Sequence, residues 1–240
     1  MNIIAITQKG PSKAENEDRI VIGKNLLAEG SIHTTFSSGV VAVADGVGGN
    51  NAGAVASHFV AQNLLSIAET SQEVFVKINN DLLQLSEMRA DYSNMATTLS
   101  GISVSGNKTV LFSVGNTRIY LLQGRKYLKQ LTSDDTTLNY LLATGQLTAK
   151  DAESFSRKNE ITACFGGGAA HLLKIKCSQV DSFTVPFMLT SDGIHDYVSV
   201  DQMEDILAEK GISIETCEAL IAAARSEGSV DDVSIVMGEV

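Results

Sequence analysis

Four aspartates stand where β-prone runs begin or end, and they constrain the fold more than any other feature. They are Asp18 in Asn16-Glu17-Asp18, Asp45 in Val43-Ala44-Asp45-Gly46-Val47-Gly48-Gly49, Asp192 in Leu189-Thr190-Ser191-Asp192-Gly193, and Asp231 in Val230-Asp231-Asp232-Val233-Ser234. One Asp at the end of an apolar run is common. Four of them, far apart in sequence, point to carboxylates gathered at one edge of a β structure. Such a cluster repels itself unless cations neutralise it. Oxygen donors, with no His or Cys inside the four motifs, favour Mg²⁺ or Mn²⁺ over Zn²⁺. Two such ions about 3.5–4 Å apart are a common device for hydrolysing phosphate esters.

The rest of the chain suits a soluble globule built around that edge. Of 240 residues, 44% are hydrophobic, 19% are charged and only two are proline, which describes a sizeable core and excludes a disordered chain. No apolar run approaches the roughly 18 residues of a membrane span. Met1–Ala5 carries no basic segment followed by an apolar core, so no secretion signal and a cytoplasmic setting are expected. Cys164, Cys177 and Cys217 are odd in number and widely spaced, as expected of reduced thiols. The net charge of −10 argues against nucleic-acid binding. It also means that an anionic substrate must be captured by local charge and not by the overall field.

No linker, repeat or charge block divides the chain, so residues 1–240 are expected to form a single domain. β-Branched enrichment predicts strands at Ile3–Thr7, Arg19–Gly23, Val40–Ala44, Leu99–Val104, Thr109–Val114, Arg118–Gln123, Phe183–Thr190 and Val233–Val240. Asn107 and Gly124 mark tight turns in an expected meander through residues 98–130. Helical spacing recurs in Ala52, Ala56, Val60, Leu64, in Phe75, Ile78, Leu82, Leu85, in Met203, Ile206, Leu207, and in Cys217, Leu220, Ile221, Ala224. Strands and helices come in separate runs, which favours α+β over a doubly wound sheet, with helix pairs on the outer faces of antiparallel sheets. Residues 134–165 stand apart. Leu138, Leu141 and Leu142 form one short helix ended at Gly145, Thr148–Ser154 form another, and Gly166-Gly167-Gly168 reads as a hinge-capable loop.

Asp45-Gly46-Val47-Gly48-Gly49 is the strongest local motif. It follows the buried run Val40–Ala44, and its glycines let the backbone approach a ligand closely. Taken alone it could equally be a Gly-rich turn with a capping Asp, and it lacks the Gly-Lys-Ser/Thr of a phosphate-binding loop. The ordered set Asn16-Glu17-Asp18, Asp45-Gly46-x-Gly48-Gly49, Met95-Ala96-Thr97-Thr98-Leu99, Gly115-Asn116-Thr117-Arg118, Ser191-Asp192-Gly193 and Asp231-Asp232-Val233-Ser234 is more specific. It resembles the metal-dependent protein phosphatases, the PPM or type 2C serine/threonine phosphatases, in their compact bacterial form. Leu131–Asp134 followed by Arg157–Thr162 resembles that family's flap segment.

The resemblance implies a four-layer α-β-β-α sandwich and hydrolysis of phosphoserine or phosphothreonine by a metal-activated water, with no phospho-enzyme. It implies two Mn²⁺ or Mg²⁺ ions. Asp45 would bridge both, with the Gly46 carbonyl, Glu17 and Asp18 completing the first site and Asp192 and Asp231 the second. The partners implied are phosphorylated proteins and a cognate Ser/Thr kinase, with no nucleic acid and no membrane insertion; a monomer is the default.

Four positions depart from the family pattern. Lys13 stands where relatives commonly carry an Arg that contacts the substrate phosphate; it keeps a charge but loses the bidentate fork. Asn116 replaces an Asp that helps hold a third ion, so that ion is expected to be weak or absent, with Asp196 as a remaining contributor. Val47 replaces a His found in some relatives, and His195 is expected to be structural. Asp231 is favoured over Asp232 as the ligand, Asp232 acting as an outer partner, so Asp232→Asn is expected to be tolerated. The competing reading is a catalytically silent phosphoprotein-binding module of the same fold. A structural Ca²⁺ domain is disfavoured because no Asp-x-Asp-x-Asp-Gly loop is present.

Overall fold

Along the strand Asn2–Gln8 (β1), Ile3 and Ala5 enter one apolar layer while Ile4 and Ile6 enter another. Period-two alternation with both faces apolar requires cover on both sides, and that requirement organises the whole molecule. In this computed structural model, residues 1–48, 52–67, 69–152, 154–180 and 185–239 are described. The further strands are β2 (Asp18–Ile22), β3 (Asn25–Leu27), β4 (Gly30–Thr35), β5 (Gly39–Val47), β6 (Ala96–Thr97), β7 (Leu99–Ser105), β8 (Lys108–Val114), β9 (Arg118–Gln123), β10 (Tyr127–Gln130), β11 (Phe165–Gly166), β12 (Lys176–Val180), β13 (Phe187–Thr190) and β14 (Val233–Glu239). The helices are α1 (Ala52–Leu64), α2 (Gln72–Glu87), α3 (Thr137–Ala143), α4 (Ala149–Ala152), α5 (Asp192–His195), α6 (Val200–Lys210) and α7 (Ile214–Ser226).

One sheet runs β10-β9-β13-β14-β1-β4. The other runs β11-β6-β5-β7-β8-β12, with β2 and β3 added beside β5, and every pairing is antiparallel. Ile3, Ala5, Ile20, Val41, Val43, Ile102, Leu189 and Val236 form the layer between the sheets. Val40, Ala42 and Ala44 turn the opposite way, onto α1 and α2. Ile4, Ile235 and Met237 meet α6 and α7. This is the expected four-layer α-β-β-α arrangement. Ser71, Ser199 and Ser213 cap α2, α6 and α7 through side-chain acceptors, and Gln202 completes a capping box on α6. Among the described residues no helix is long and apolar enough to cross a membrane.

The expected meander through 98–130 is corrected. β7–β8 and β9–β10 are hairpins, but β8 lies in one sheet and β9 in the other. The crossing turn is Gly115-Asn116-Thr117. Gly115 has φ +92°, and a Cβ there would press within 2.7 Å of Thr98. Of the described part of the expected strand Phe183–Thr190, only Phe187–Thr190 is strand. Residues 183 and 184 lie outside the described residues, as do Gly49 and Val240. The short strands β3, β4, β6, β10, β11 and β12 escape sequence reading because they are edge or two-residue pieces without a sustained apolar alternation.

Between β10 and β11 lie α3 and α4, neither with a buried residue. The segment is tethered at its base. Asp135 accepts from the Gly115 N–H (3.1 Å) and pairs with Lys176 (2.6 Å), and Arg118 grips Asp134 with two nitrogens. The glycine run is not a free hinge: Gly166 N–H donates to Asn79 Oδ1 (2.7 Å) and Gly167 N–H to the Met95 carbonyl (2.9 Å).

Candidate active site

Strand parity brings the first two carboxylates together. Asp18 and Asp45 are direct register partners in β2 and β5, one step beyond the pairs Ile20–Val43 and Ile22–Val41 that face the inter-sheet layer. The two Asp therefore continue that face at its open end. The opposite sheet presents Thr7, Ser191 and Ser234 there. Ser191 Oγ donates to Asp18 Oδ2 (2.8 Å), Ser234 N–H donates to Ser191 Oγ (2.9 Å), and Ser234 Oγ donates to Thr7 Oγ1 (2.8 Å). Asp192 opens α5 immediately after Ser191, and the Asn116 amide donates to Asp192 Oδ2 (3.0 Å). The sheet-crossing turn thus delivers Asn116 to the cluster.

Two loops supply the remaining groups. Asp232 is 2% exposed, and its two oxygens accept from the backbone N–H of Gly10 and of Glu17, each at 2.8 Å. The Asp231 side chain is 43% exposed and pairs with Lys13 (2.6 Å). The same ammonium reaches Glu17 (3.0 Å) and Asp232 (3.3 Å). Asp232 is thus a staple between loops, while Asp231 keeps its outward oxygen.

Residues that sequence reasoning overlooked hold the Gly46 carbonyl and Glu17. A Cβ on Gly46 would overlap the Gly53 carbonyl, and one on Gly53 would lie 2.7 Å from both Glu17 Oε1 and the Gly46 oxygen. Ser57 Oγ donates to the Glu17 carbonyl (2.5 Å), and Gly46 N–H donates to the same oxygen (3.1 Å). Thr98 brackets Asp45, accepting from its N–H (3.2 Å) and donating its own N–H to the Asp45 carbonyl (2.8 Å). Gly53 and Ser57 read as part of an ordinary small-residue helix face; only the backbone approach distinguishes them.

Burial first, then the charges of Asp192, Asp18 and Asp231, push Asp45 well above the usual carboxylate range. Burial chiefly, with Asp232 and Asp192 adding to it, raises Asp18 to about 7 against the pull of its hydroxyl donors. Asp192 is raised by burial and by Asp231. Burial works against the Lys13 charge, but its bond to Asp231 and the surrounding carboxylates outweigh it and hold Lys13 above the usual lysine range. Asp196, raised to about 6 by burial and by Asp192, accepts from Asn159 of the inserted segment (2.6 Å). His195 Nδ1 lies 2.7 Å from Thr190 Oγ1, and burial and the Arg118 charge keep the ring neutral.

The donor set fits divalent cations. It is all oxygen, Asp18 Oδ1 is buried without a hydrogen-bond partner, and the Lys13 ammonium already stands in as a cation among three carboxylates. Among the described residues no three His, Cys, Asp or Glu side chains are already closed into a metal cage. The carboxylates instead hold Lys13, Ser191 and Asn116.

Fold and site together define the class of metal-dependent phosphatases. The chain belongs to the protein phosphatase 2C family, whose model matches residues 22–225. It is 32% identical to the serine/threonine phosphatase stp of Listeria monocytogenes serotype 4b (strain F2365), over 97% of this chain and 93% of that one. The crystal structure of the Mycobacterium tuberculosis serine/threonine phosphatase PstP/Ppp is similar, with TM-score 0.82 and 26% identity over 100% and 99% of the two chains. A structure of the PstP catalytic domain in complex with two manganese ions is similar with TM-score 0.75, also at 26% identity, over 99% and 98%.

Proposed function

We propose that this chain hydrolyses phosphoserine and phosphothreonine in proteins with the help of two Mn²⁺ or Mg²⁺ ions. The observation that carries the reading is the Asp18–Asp45 register pair facing Ser191 and Asp192 across the two sheets, with one buried Asp18 oxygen unpartnered. Asp45, the Gly46 carbonyl, Glu17 and Asp18 would hold one ion, and Asp45, Asp192 and Asp231 the other. Such a pair, when bound, supplies an acidified water and positive charge for the phosphoryl oxygens.

The chain's own groups do the rest. Ser191 and Asn116 orient Asp18 and Asp192 through their donated hydrogen bonds. Among the described residues Lys13 is the ammonium that pairs with these carboxylates, and it is the group a phosphate would meet; its charge is held by Asp231 and Glu17 until then. Asn116 turns a donor, not an oxygen, toward Asp192, and Asn159 occupies Asp196, which supports a weak or absent third ion. His195 is neutral with its Nδ1 engaged by Thr190, so leaving-group protonation would need water or another residue. The silent-module reading is not favoured, since every carboxylate of the set is present.

We further propose that residues 1–240 act as one catalytic unit, with residues 134–165 as a flap over the site, and that the protein is a cytoplasmic monomer opposing a Ser/Thr kinase. The primary test is hydrolysis of a phosphothreonine peptide by metal-stripped protein with Mn²⁺ or Mg²⁺ returned, beside Asp192→Asn. Activity that returns with metal and is lost in the variant is expected. Tight metal binding without hydrolysis would overturn the catalytic reading.

A further inference from the structure

Three of the four cluster aspartates are anchored by regular structure. Asp18 and Asp45 lie in β2 and β5, and Asp192 is the first residue of α5. Asp231 is different: it precedes β14 by two residues, in a stretch with no ladder pairing. Among the described residues its carboxylate is bonded only to its neighbour's N–H and the Lys13 ammonium. Something else must fix its backbone if its oxygen is to keep a constant place.

Arg225, in the last turn of α7, does this. One guanidinium nitrogen donates to the Asp231 carbonyl (2.7 Å) and the Ser229 carbonyl (3.0 Å); the other reaches the Lys9 carbonyl (3.3 Å) on the opposing loop. Ser229 in turn donates to the Gly193 carbonyl (2.8 Å), just behind Asp192. The two loops lie backbone to backbone at this point, since a Cβ on Gly10 would overlap the Val230 carbonyl. The Asp232 staple ties the same loops through the Gly10 and Glu17 N–H groups.

We propose that Arg225 is a positioning residue that sets Asp231 over the carboxylate cluster by cross-bracing residues 229–231 to residues 9–10. This inference rests on the two-metal reading above. A planar fork with several fixed donors can hold carbonyls of two chain segments at once; an ammonium is a single point charge and holds fewer in a fixed geometry.

The test measures Mn²⁺ binding calorimetrically on metal-stripped wild type, Arg225→Ala, Arg225→Lys, Asp231→Asn and the Arg225→Ala/Asp231→Asn pair, with kcat, KM and Tm alongside. Arg225→Ala is expected to weaken one of two ions by about tenfold or more, the usual scale for an outer-shell partner. It should lower kcat with little change in KM. Millimolar guanidinium should restore the affinity, Arg225→Lys should restore it only in part, and the pair should bind no more weakly than Asp231→Asn alone. Wild-type affinity in Arg225→Ala, or a fall in Tm without weaker binding and without rescue, would overturn the proposal. Should Arg225→Ala not fold, full affinity in Arg225→Lys would overturn it. Absence of binding by wild type would instead sink the two-metal reading and this inference with it.

Discussion

Asp231 and Asp232 are adjacent carboxylates with opposite duties. Asp231→Asn is expected to abolish hydrolysis in a phosphopeptide assay while leaving Tm nearly unchanged. For Asp232→Asn the geometry revises the expectation from sequence. An amide would oppose its NH₂ to one of the two backbone N–H groups now bonded, so a loss of about 1–3 kcal/mol in denaturant unfolding is expected. Lys13→Ala should raise KM more than it lowers kcat; an unchanged KM would remove Lys13 from phosphate binding. His195 offers a pH signature. Its ring is held below the ordinary histidine range, so its contribution to stability is full above about pH 6.5 and is lost as pH falls below it. Asp18 and Asp196, being raised, pull the other way over part of that window. The His195 part is therefore read as a difference: the Tm advantage of wild type over His195→Gln should shrink between about pH 7 and pH 5.

At the scale of elements, the start of α1 matters more for its backbone than for its apolar face. Gly53 lets the helix lie against the Gly46 carbonyl and Glu17. In an open helix Gly→Ala adds about 1 kcal/mol of stability. Here the new methyl would press on the Gly46 backbone and on Glu17 Oε1, so Gly53→Ala should lower Tm and weaken Mn²⁺ binding together. A higher Tm with unchanged Mn²⁺ affinity would show that the backbone approach at Gly53 does not matter. The strand elements were legible where apolar alternation was sustained, as in β1, β5 and β14. The β8–β9 connection was not: both strands have the same pattern whether they pair or part, and the choice is made by Gly115 fitting against Thr98.

On the whole-molecule scale, cations and fold are linked. Acidic groups at both chain ends and in the middle converge on one rim, so an ion that binds only the assembled rim stabilises everything that assembles it. At Mn²⁺ concentrations about a hundredfold above Kd the linkage is about 2.7 kcal/mol, and Tm should rise by about 5–10 °C. Asp45→Asn, which removes the carboxylate proposed to serve both ions, should lose that rise; an equal rise in the variant would place the ion elsewhere. The sequence by itself determined the α+β class, the outer helix pairs and the four aspartates, because hydrophobic period and residue chemistry are local properties. Only the tertiary structure decided which sheet each of β8 and β9 joins, that Asp232 staples the backbone of Gly10 to that of Glu17, that Gly53 and Ser57 pack on Gly46 and Glu17, and that Arg225 bonds the carbonyls of Lys9, Ser229 and Asp231. Those roles depend on backbone approaches and carbonyl positions between segments up to 222 residues apart, and no pattern of side chains along a single segment encodes them.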